Sequence, residues 1–243
     1  MNQLPIYYNE ADEWNRMQLL YDAALKEINT KLEIWTNEFK IMHQYNPIEH
    51  ITSRIKSPKS IAKKLNKYGE EVNLFNIMDR VNDMAGIRIV CSFTSDIYKV
   101  AELISSQNDI KVLKIKDYIA NPKPNGYMSY HMIVSVPVSL SMEVIETKVE
   151  IQIRTIAMDF WASLEHKIYY KYEGKAPAHI QRELKECADL VGFLDRKMLS
   201  INEEIKELQR EEYNEEYVQA DRGSKVSERN VVFEEAYKEA NCI

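Results

Sequence analysis

The sequence predicts an α+β fold, in which helices pack on a mixed central β-sheet of about five strands. Three features support this prediction. Apolar residues recur at helical spacing from about residue 13 to residue 42. Four segments in the middle of the chain are of strand length and rich in Val and Ile, and the helical pattern returns after Thr155. We therefore expect helical flanks before and after a central sheet.

The N-terminal region is expected to form one long amphipathic helix followed by one short helix. In the long helix, charged residues separate the apolar residues that recur from Leu19 to Phe39. In the short helix, Ser57 and Pro58 supply the N-cap and first-turn signals, and Gly69 can end the helix.

The middle region is predicted to hold the sheet. Its strand segments are separated by turn residues and by one predicted helix at 95–105. The segments are Gly86 to Phe93, Lys111 to Tyr118, His131 to Leu140 and Lys148 to Thr155.

The region after Thr155 is predicted to be helical, with a break at Gly174 to Pro177 and two more helices between Ala178 and Tyr217. Beyond Gln219 the chain is polar and lacks periodicity, so we expect it to be loose or only locally helical. The predicted parts are an N-terminal helical flank (1–44), a core (45–174), C-terminal helices (175–218) and a polar tail (219–243).

The composition excludes several classes of function. A formal net charge of -6 does not favour a general attraction to nucleic acid or to anionic membranes. The three cysteines, Cys91, Cys187 and Cys242, form no CxxC pair, so neither a disulfide framework nor a zinc site is expected. No targeting segment or membrane-length apolar stretch is present. We expect a cytoplasmic protein.

A basic cluster stands out in this acidic chain. Lys59, Lys63 and Lys67 are spaced by four and share one face of the predicted short helix, whose N-terminus adds a partial positive charge. The cluster has no acidic residue and contains Arg54, Lys56, Lys59, Lys63, Lys64 and Lys67. It favours a phosphate site, although a solvated lysine face explains a basic helix alone equally well.

Two further segments carry polar side chains where strands are predicted. In the segment 149–154, Glu150, Gln152 and Arg154 share the face opposite the apolar residues. This pattern is typical either of a site or of an exposed strand. In the segment 83–89, Asp83 precedes a strand that carries Arg88, and the two could form a structural ion pair. Alternatively, Asp83 and Glu150 provide the hard oxygen ligands of Mg²⁺.

The segment 121–131 combines a forced loop with aromatic residues. Two prolines, two asparagines and a glycine predict the loop, and Tyr127, Tyr130 and His131 follow at its exit. Tyr127 could stack on a base and Lys123 could contact a phosphate, whereas Tyr130 is equally well explained as a core residue.

Taken in chain order, the basic cluster and the segments 83–89, 121–131 and 149–154 resemble the synthetase domain of the RelA/SpoT family over about residues 45–174. The matching motifs are Arg-x-Lys at Arg54, DMAGIRI from Asp83, PKPNGYMSYH from Pro122, VEIQIRT from Val149 and FWASLEHKIYYKY from Phe160. None of the five histidines is followed by Asp, as the hydrolase domain of long family members requires, and no room remains for their C-terminal regulatory region. The chain therefore resembles the single-domain small alarmone synthetases.

The resemblance implies a nucleotidyltransferase-like fold and transfer of the β,γ-diphosphate of ATP to the 3′-hydroxyl of GTP, GDP or GMP. On the ATP side, it places the adenine between Arg54 and Arg88. The ATP phosphates would then contact Lys56, Lys59 and Lys63. Asp83 and Glu150 would hold Mg²⁺, and Glu150 would also be the base that takes the proton from the 3′-hydroxyl.

On the acceptor side, the resemblance implies that Tyr127 stacks on guanine. The other acceptor or phosphate contacts that it implies are Lys123, His131, Gln152 and Arg154. Met128 stands where basic or polar residues are familiar in this motif, so we hypothesise a weaker demand for a long 5′-phosphate chain.

The resemblance also implies a homotetramer, with regulation by an alarmone or by single-stranded RNA as a further expectation.

Two rival functions remain at this point. Toxic family members pyrophosphorylate adenine nucleotides or the 3′ end of tRNA, and a tRNA acceptor would need an extended basic surface that the acidic stretch from Asn202 to Glu216 does not favour. A non-enzymatic nucleotide or RNA sensor would not need both Asp83 and Glu150.

Overall fold

A computed structural model describes residues 10–43, 45–171 and 176–223 of the chain. The first half of the described chain contains α1 (Glu10–Met42), β1 (Ile48–Ile55), α2 (Pro58–Tyr68), α3 (Leu74–Arg80), β2 (Ala85–Cys91) and α4 (Thr94–Ser105). The second half contains β3 (Lys111–Asp117), β4 (Tyr130–Ser139), β5 (Val144–Thr155), α5 (Ile156–Lys171) and α6 (Ala178–Gly223). Helices thus precede and follow the strands, as predicted.

The five strands form one mixed sheet with the order β1-β2-β5-β4-β3. The central pair, β2 and β5, is parallel, and every other neighbouring pair is antiparallel. The predicted mixed sheet is therefore confirmed. The parallel pair matters for function because Glu150 of β5 and Arg88 of β2 lie on adjacent strands in the middle of the sheet.

One face of the sheet is buried in the hydrophobic core. Ile87 of β2 lies opposite Ile151 of β5, which also pairs with Met132 of β4, and all three side chains are fully buried. Apolar residues of α1 and α4 belong to the same core, including Leu32 and Ile97. Because successive strand residues point to opposite faces, the even-numbered residues of β2 and β5 lie on the other face of the sheet.

The predicted end signals of the short basic helix are confirmed in α2. The Ser57 side chain accepts a hydrogen bond from the Ser60 amide, and Gly69 ends the helix with a φ of 71°. A left-handed backbone of this kind favours glycine because it has no Cβ.

The N-terminal half contains two elements that the sequence did not predict. The strand β1 was not assigned because it lies at the sheet edge, where its side chains are mostly exposed and show no apolar alternation. The short helix α3 was not assigned either. Its N-cap is Asn73, whose side chain accepts from the Asn76 amide.

The C-terminal half differs from the prediction in one respect. The two helices expected between Ala178 and Tyr217 are wrong, because α6 is a single helix of 46 residues that includes Gly192. It also takes in the first residues of the polar tail, which was expected to be loose or only locally helical, while 224–243 lie outside the described residues. Among the helices described, none combines the length and apolar character needed to cross a membrane.

Candidate active site

A cavity of about 290 Å³ opens on the face of the sheet opposite the core. Its lining consists of Thr52, Ser53, Arg54, Asp83, Gly86, Ile87, Arg88, Glu150 and Gln152. These residues come from β1, from the turn before β2, from β2 and from β5. The structure thus brings together five of the residues that the sequence predicted for one site, although they are distant in the chain.

Strand register explains why these side chains meet. Arg54, Gly86 and Glu150 occupy one row across β1, β2 and β5, because Gly86 pairs with both of the others. In the next row, Gln152 lies between Arg88 of β2 and His131 of β4. Residues in one row point to the same face, so the polar groups collect on one surface.

Asp83 is held by two lysines. Its Oδ2 accepts from Lys56 Nζ and its Oδ1 from Lys64 Nζ, each at 2.7 Å. Burial acts to raise the pKa of Asp83, but the two lysines outweigh it and the pKa is lowered. Asp83 is therefore a carboxylate at neutral pH. The structural pairing with Arg88 that the sequence left open is not found in the described residues, since Asp83 pairs with lysines and Arg88 with Asp159.

The structure separates the basic residues of α2. Lys64 reaches the site, whereas Lys59 and Lys63 are exposed and do not line the cavity. Lys64 was part of the predicted cluster but was not among the residues assigned to ATP. The contacts of Lys59 and Lys63 with phosphates stay predictions.

Glu150 is the second carboxylate of the cavity. Its Oε2 accepts from Gln152 Nε2 at 2.9 Å, and its Oε1 lies 3.5 Å from His131 Nδ1. Burial raises the pKa of Glu150, but the contacts with His131 and Gln152 outweigh burial and the nearby charge of Asp83, so the pKa is lowered. Glu150 is therefore ionised at neutral pH and can accept a proton from a substrate.

Five side chains form a closed ring of contacts beside the cavity. Arg154 Nη2 donates to the Tyr127 hydroxyl at 2.6 Å and to Gln152 Oε1 at 3.0 Å. The Tyr127 hydroxyl lies 2.7 Å from His131 Nε2. Because Arg154 can only donate, the tyrosine oxygen accepts from it. The direction of the hydrogen bond between the Tyr127 hydroxyl and His131 Nε2 depends on the tautomer of the histidine, whose Nδ1 faces Glu150.

Four of the predicted acceptor residues belong to this ring of contacts, and the fifth, Lys123, lies beside it. Lys123 Nζ is 4.5 Å from the centre of the Tyr127 ring and 4.7 Å from that of Tyr118. Tyr118 also packs edge-on against His131. The predicted residues Lys123, Tyr127, His131, Gln152 and Arg154 are thus assembled in one place, while their individual roles stay predictions.

The loop that carries Tyr127 is packed against α5 and α6. Gly126 has a φ of 87°, and a Cβ there would be 2.4 Å from Ala188 Cβ of α6. The Asn125 side chain donates to Glu165 of α5 at 3.1 Å. Met128 packs beside Gly192, since a Cβ at position 192 would be 3.3 Å from Met128 Cε. Position 128 thus contacts α6.

Asp159, at the start of α5, is a site residue that the sequence analysis missed. Its Oδ1 lies 3.2 Å from Arg88 Nη1 and 3.1 Å from Arg154 Nη1. Its position in the sequence after the strand motif gave no signal by itself. The contacts of Asp159 with the two arginines arise only because α5 begins next to β2 and β5.

The two carboxylates are of the kind that Mg²⁺ prefers, and the magnesium site stays a prediction. Asp83 and Glu150 line the same cavity and are both ionised. The described part of the chain contains no group of three or more His, Cys, Asp or Glu residues able to hold a metal. Mg²⁺ commonly uses one or two carboxylates together with substrate phosphates, so two ligands are sufficient.

Comparison with known proteins identifies the family. Residues 53–175, just over half of the chain, match the family described as "Region found in RelA / SpoT proteins". The chain belongs to the RelA/SpoT family. Among its RelA/SpoT relatives, the GTP pyrophosphokinase YwaC of Bacillus subtilis is 48% identical over 194 residues, which are 80% of this chain and 92% of YwaC.

Solved structures of RelA/SpoT proteins share the fold. Small alarmone synthetase 2 from Bacillus subtilis superposes with a TM-score of 0.73 and 47% identity, covering 79% of this chain and 99% of that one. Small alarmone synthetase 1 from the same organism, bound to its product pppGpp, gives a TM-score of 0.74 at 35% identity, covering 79% and 98%. The nucleotidyltransferase-like synthetase fold expected from the motifs is confirmed.

Proposed function

We propose that this RelA/SpoT protein is a small alarmone synthetase, a GTP pyrophosphokinase that transfers the β,γ-diphosphate of ATP to the 3′-hydroxyl of GTP, GDP or GMP and releases AMP. The products would be pppGpp, ppGpp or pGpp, the signals of the stringent response. One observation carries the proposal: two ionised carboxylates, Asp83 and Glu150, share a cavity with two arginines, Arg54 and Arg88. The relative YwaC, named a GTP pyrophosphokinase, supports it.

The ATP side of the cavity lies on β1 and β2. Arg54 and Arg88 flank Gly86, whose missing side chain leaves the cavity floor open. Guanidinium groups can stack on the adenine ring, and Lys56 and Lys64 provide positive charge for the phosphates. Asp83 and Glu150 would hold Mg²⁺, which neutralises phosphate charge and orients the diphosphate when bound.

Glu150 supplies the proton acceptor. The 3′-oxygen of the acceptor forms a bond to the β-phosphorus of ATP while the bond from that phosphorus to the α,β-bridging oxygen breaks. AMP leaves with the bridging oxygen, and the hydroxyl proton passes to Glu150 Oε1 or Oε2. The contacts of Glu150 with Gln152 and His131 hold the carboxylate in place for this step.

The acceptor side lies on β4, on β5 and in the loop before β4. Tyr127 offers a ring on which guanine can stack, and Lys123 and Arg154 lie over that ring. His131 and Gln152 lie between the ring and Glu150. We expect this order to bring the acceptor ribose next to Glu150, with its guanine away from the ATP side.

We also propose that the chain forms a homotetramer in the cytoplasm. An exposed apolar stripe along α6 supports self-association, because such patches are typical of interfaces. The stripe consists of Leu190, Leu194, Met198, Ile201, Ile205 and Leu208. Regulation by an alarmone or by single-stranded RNA stays a prediction.

The direct test is transfer of label from γ-labelled ATP in the presence of Mg²⁺. Separate reactions would contain GMP, GDP, GTP, no second nucleotide, or deacylated tRNA, and the products would be resolved. Label on a guanine nucleotide with equal AMP release is the expected result. Label on tRNA or on an adenine nucleotide would overturn the acceptor and favour a toxic family member. No transfer to any acceptor would overturn the enzymatic proposal.

A further inference from the structure

Asp159 joins the two sides of the site through one oxygen atom. Its Oδ1 pairs with Arg88 on β2, the ATP side, and with Arg154 on β5, next to the acceptor loop. The Asp159 side chain is only 17% exposed, so these ion pairs are partly shielded from water. We expect Asp159 to matter more for the position of the arginine that has fewer other contacts.

The two arginines differ in how firmly they are held. Arg154 also donates to the Ser129 hydroxyl, to Tyr127 and to Gln152. Arg88 Nε is buried without a hydrogen-bond partner, and Asp159 is the ion-pair partner of Arg88 within the described residues. Loss of Asp159 would therefore leave Arg154 in place and release Arg88.

The surrounding charges increase this dependence. Burial lowers the pKa of Arg88, and the positive charges of Arg154 and Arg54 lower it further, while Asp159 acts in the opposite direction. Asp159 thus offsets a repulsion that would otherwise push the guanidinium of Arg88 away from Arg54 and Arg154.

We propose that Asp159 is a positioning residue for ATP, which holds the guanidinium of Arg88 at the cavity wall where the adenine is bound. The proposal rests on the proposed function, because it takes ATP as the donor. The proposal gives a role to a residue of α5 that lies outside the strand motifs. If it holds, removal of Asp159 weakens ATP binding and leaves acceptor binding nearly intact.

Asp159→Asn is the matched change, since it keeps the shape and one oxygen but removes the charge. We expect the KM for ATP to rise about tenfold, as for a lost charge-assisted contact, with little change in the KM of the acceptor. Calorimetry with the analogue AMPCPP should show the same loss of affinity independently of turnover. Asp195→Asn is the control, because Asp195 pairs with Thr155 outside the cavity and should keep wild-type binding.

A double-mutant cycle separates positioning from general structure. In an Arg88→Ala background, Asp159→Asn should add no further loss of AMPCPP affinity, because the residue it positions is gone. Full additivity of the two losses, or unchanged AMPCPP binding in Asp159→Asn, would overturn the proposal. The proposed function is tested separately by the wild-type label transfer, so binding of AMPCPP without transfer would overturn that function while the cycle still tests the role of Asp159.

Discussion

Gly126 lies so close to Ala188 that a Cβ at position 126 would be 2.4 Å from the Ala188 Cβ. The contact fixes the loop that carries Tyr127 against α6. Gly126→Ala combines this overlap with an unfavourable left-handed backbone, which costs about 1–2 kcal/mol. We expect the KM for the guanine nucleotide to rise about tenfold, with the KM for ATP unchanged, in steady-state assays that vary one substrate at a time.

Gly69→Ala provides the control for this loop prediction. Gly69 has a similar φ of 71°, but a Cβ there would meet nothing within 4 Å. The backbone cost is then present without the overlap, and the acceptor KM should stay at the wild-type value. An equal rise of acceptor KM in both variants would show that general destabilisation, rather than the contact with Ala188, is responsible.

Glu150→Gln should abolish most of the turnover. The amide keeps the size of the side chain but can neither accept the proton nor serve as an anionic ligand of Mg²⁺. We predict a kcat lower by a factor of the order of 10² or more, with a smaller effect on nucleotide affinity. Glu146→Gln, which changes an exposed carboxylate of the same strand outside the cavity, should retain activity. Near wild-type turnover in Glu150→Gln would contradict the assignment.

Asp195 makes stability depend on pH in a predictable direction. Burial raises its pKa above the ordinary value, while the hydrogen bond from Thr155 and the charge of Arg196 act to lower it. The folded chain therefore holds this proton more tightly than the unfolded chain, and ionisation at higher pH favours unfolding. Asp195→Asn keeps an oxygen for Thr155 and removes the charge. Its Tm should exceed that of the wild type by a few degrees at neutral pH.

This gain in Tm should disappear as the pH falls below the ordinary aspartate range, because Asp195 is then protonated in both states. Calorimetric scans of both proteins across that range measure the difference. Asp189→Asn, an exposed change on the same helix, should show no comparable gain. A wild type that is as stable as Asp195→Asn at neutral pH would contradict the prediction.

The preference among acceptors is predicted from position 128. The sequence suggested that Met128, in place of a basic or polar residue, weakens the demand for a long 5′-phosphate chain. In the structure, the Met128 side chain contacts α6 at Gly192 and is partly buried there. We expect similar kcat/KM values for GMP, GDP and GTP, measured in parallel. A strong preference for GTP would count against the hypothesis.

Self-association should depend on the apolar stripe of α6. Leu194→Asp places a charge in the middle of that stripe and should dissociate the assembly, as measured by size-exclusion chromatography with light scattering. Glu203→Gln, on the opposite side of the same helix, should leave the mass unchanged. A tetramer that survives Leu194→Asp would exclude the stripe as the interface.

The sequence predicted those parts of the site that follow from strand periodicity. Glu150, Gln152 and Arg154 were placed on one polar face because the apolar residues between them alternate, and the register confirms that face. Asp83 stands two residues before the strand that carries Arg88, and its assignment to the site came from the family resemblance. Local pattern thus predicted which strand residues share a face, while the resemblance supplied their expected roles.

Other parts depend on packing that no local pattern contains. Helical spacing groups Lys59, Lys63 and Lys67, yet Lys64 reaches Asp83 because Ile61 and Leu65 turn their side of α2 to the core. The edge strand β1 lacks apolar alternation, since most of its side chains are exposed. The role of Asp159 required α5 to begin beside two particular strands, so its partners could be named only from the fold.

The register of β5 has a consequence for how this enzyme can evolve. Val149, Ile151 and Ile153 fix the register by filling the core, and a slip of one residue would turn Glu150 into that core. These aliphatic residues therefore maintain the position of the Glu150 carboxylate as well as the stability of the fold. Substitutions that loosen them are expected to be selected against even where the protein could tolerate the lost stability.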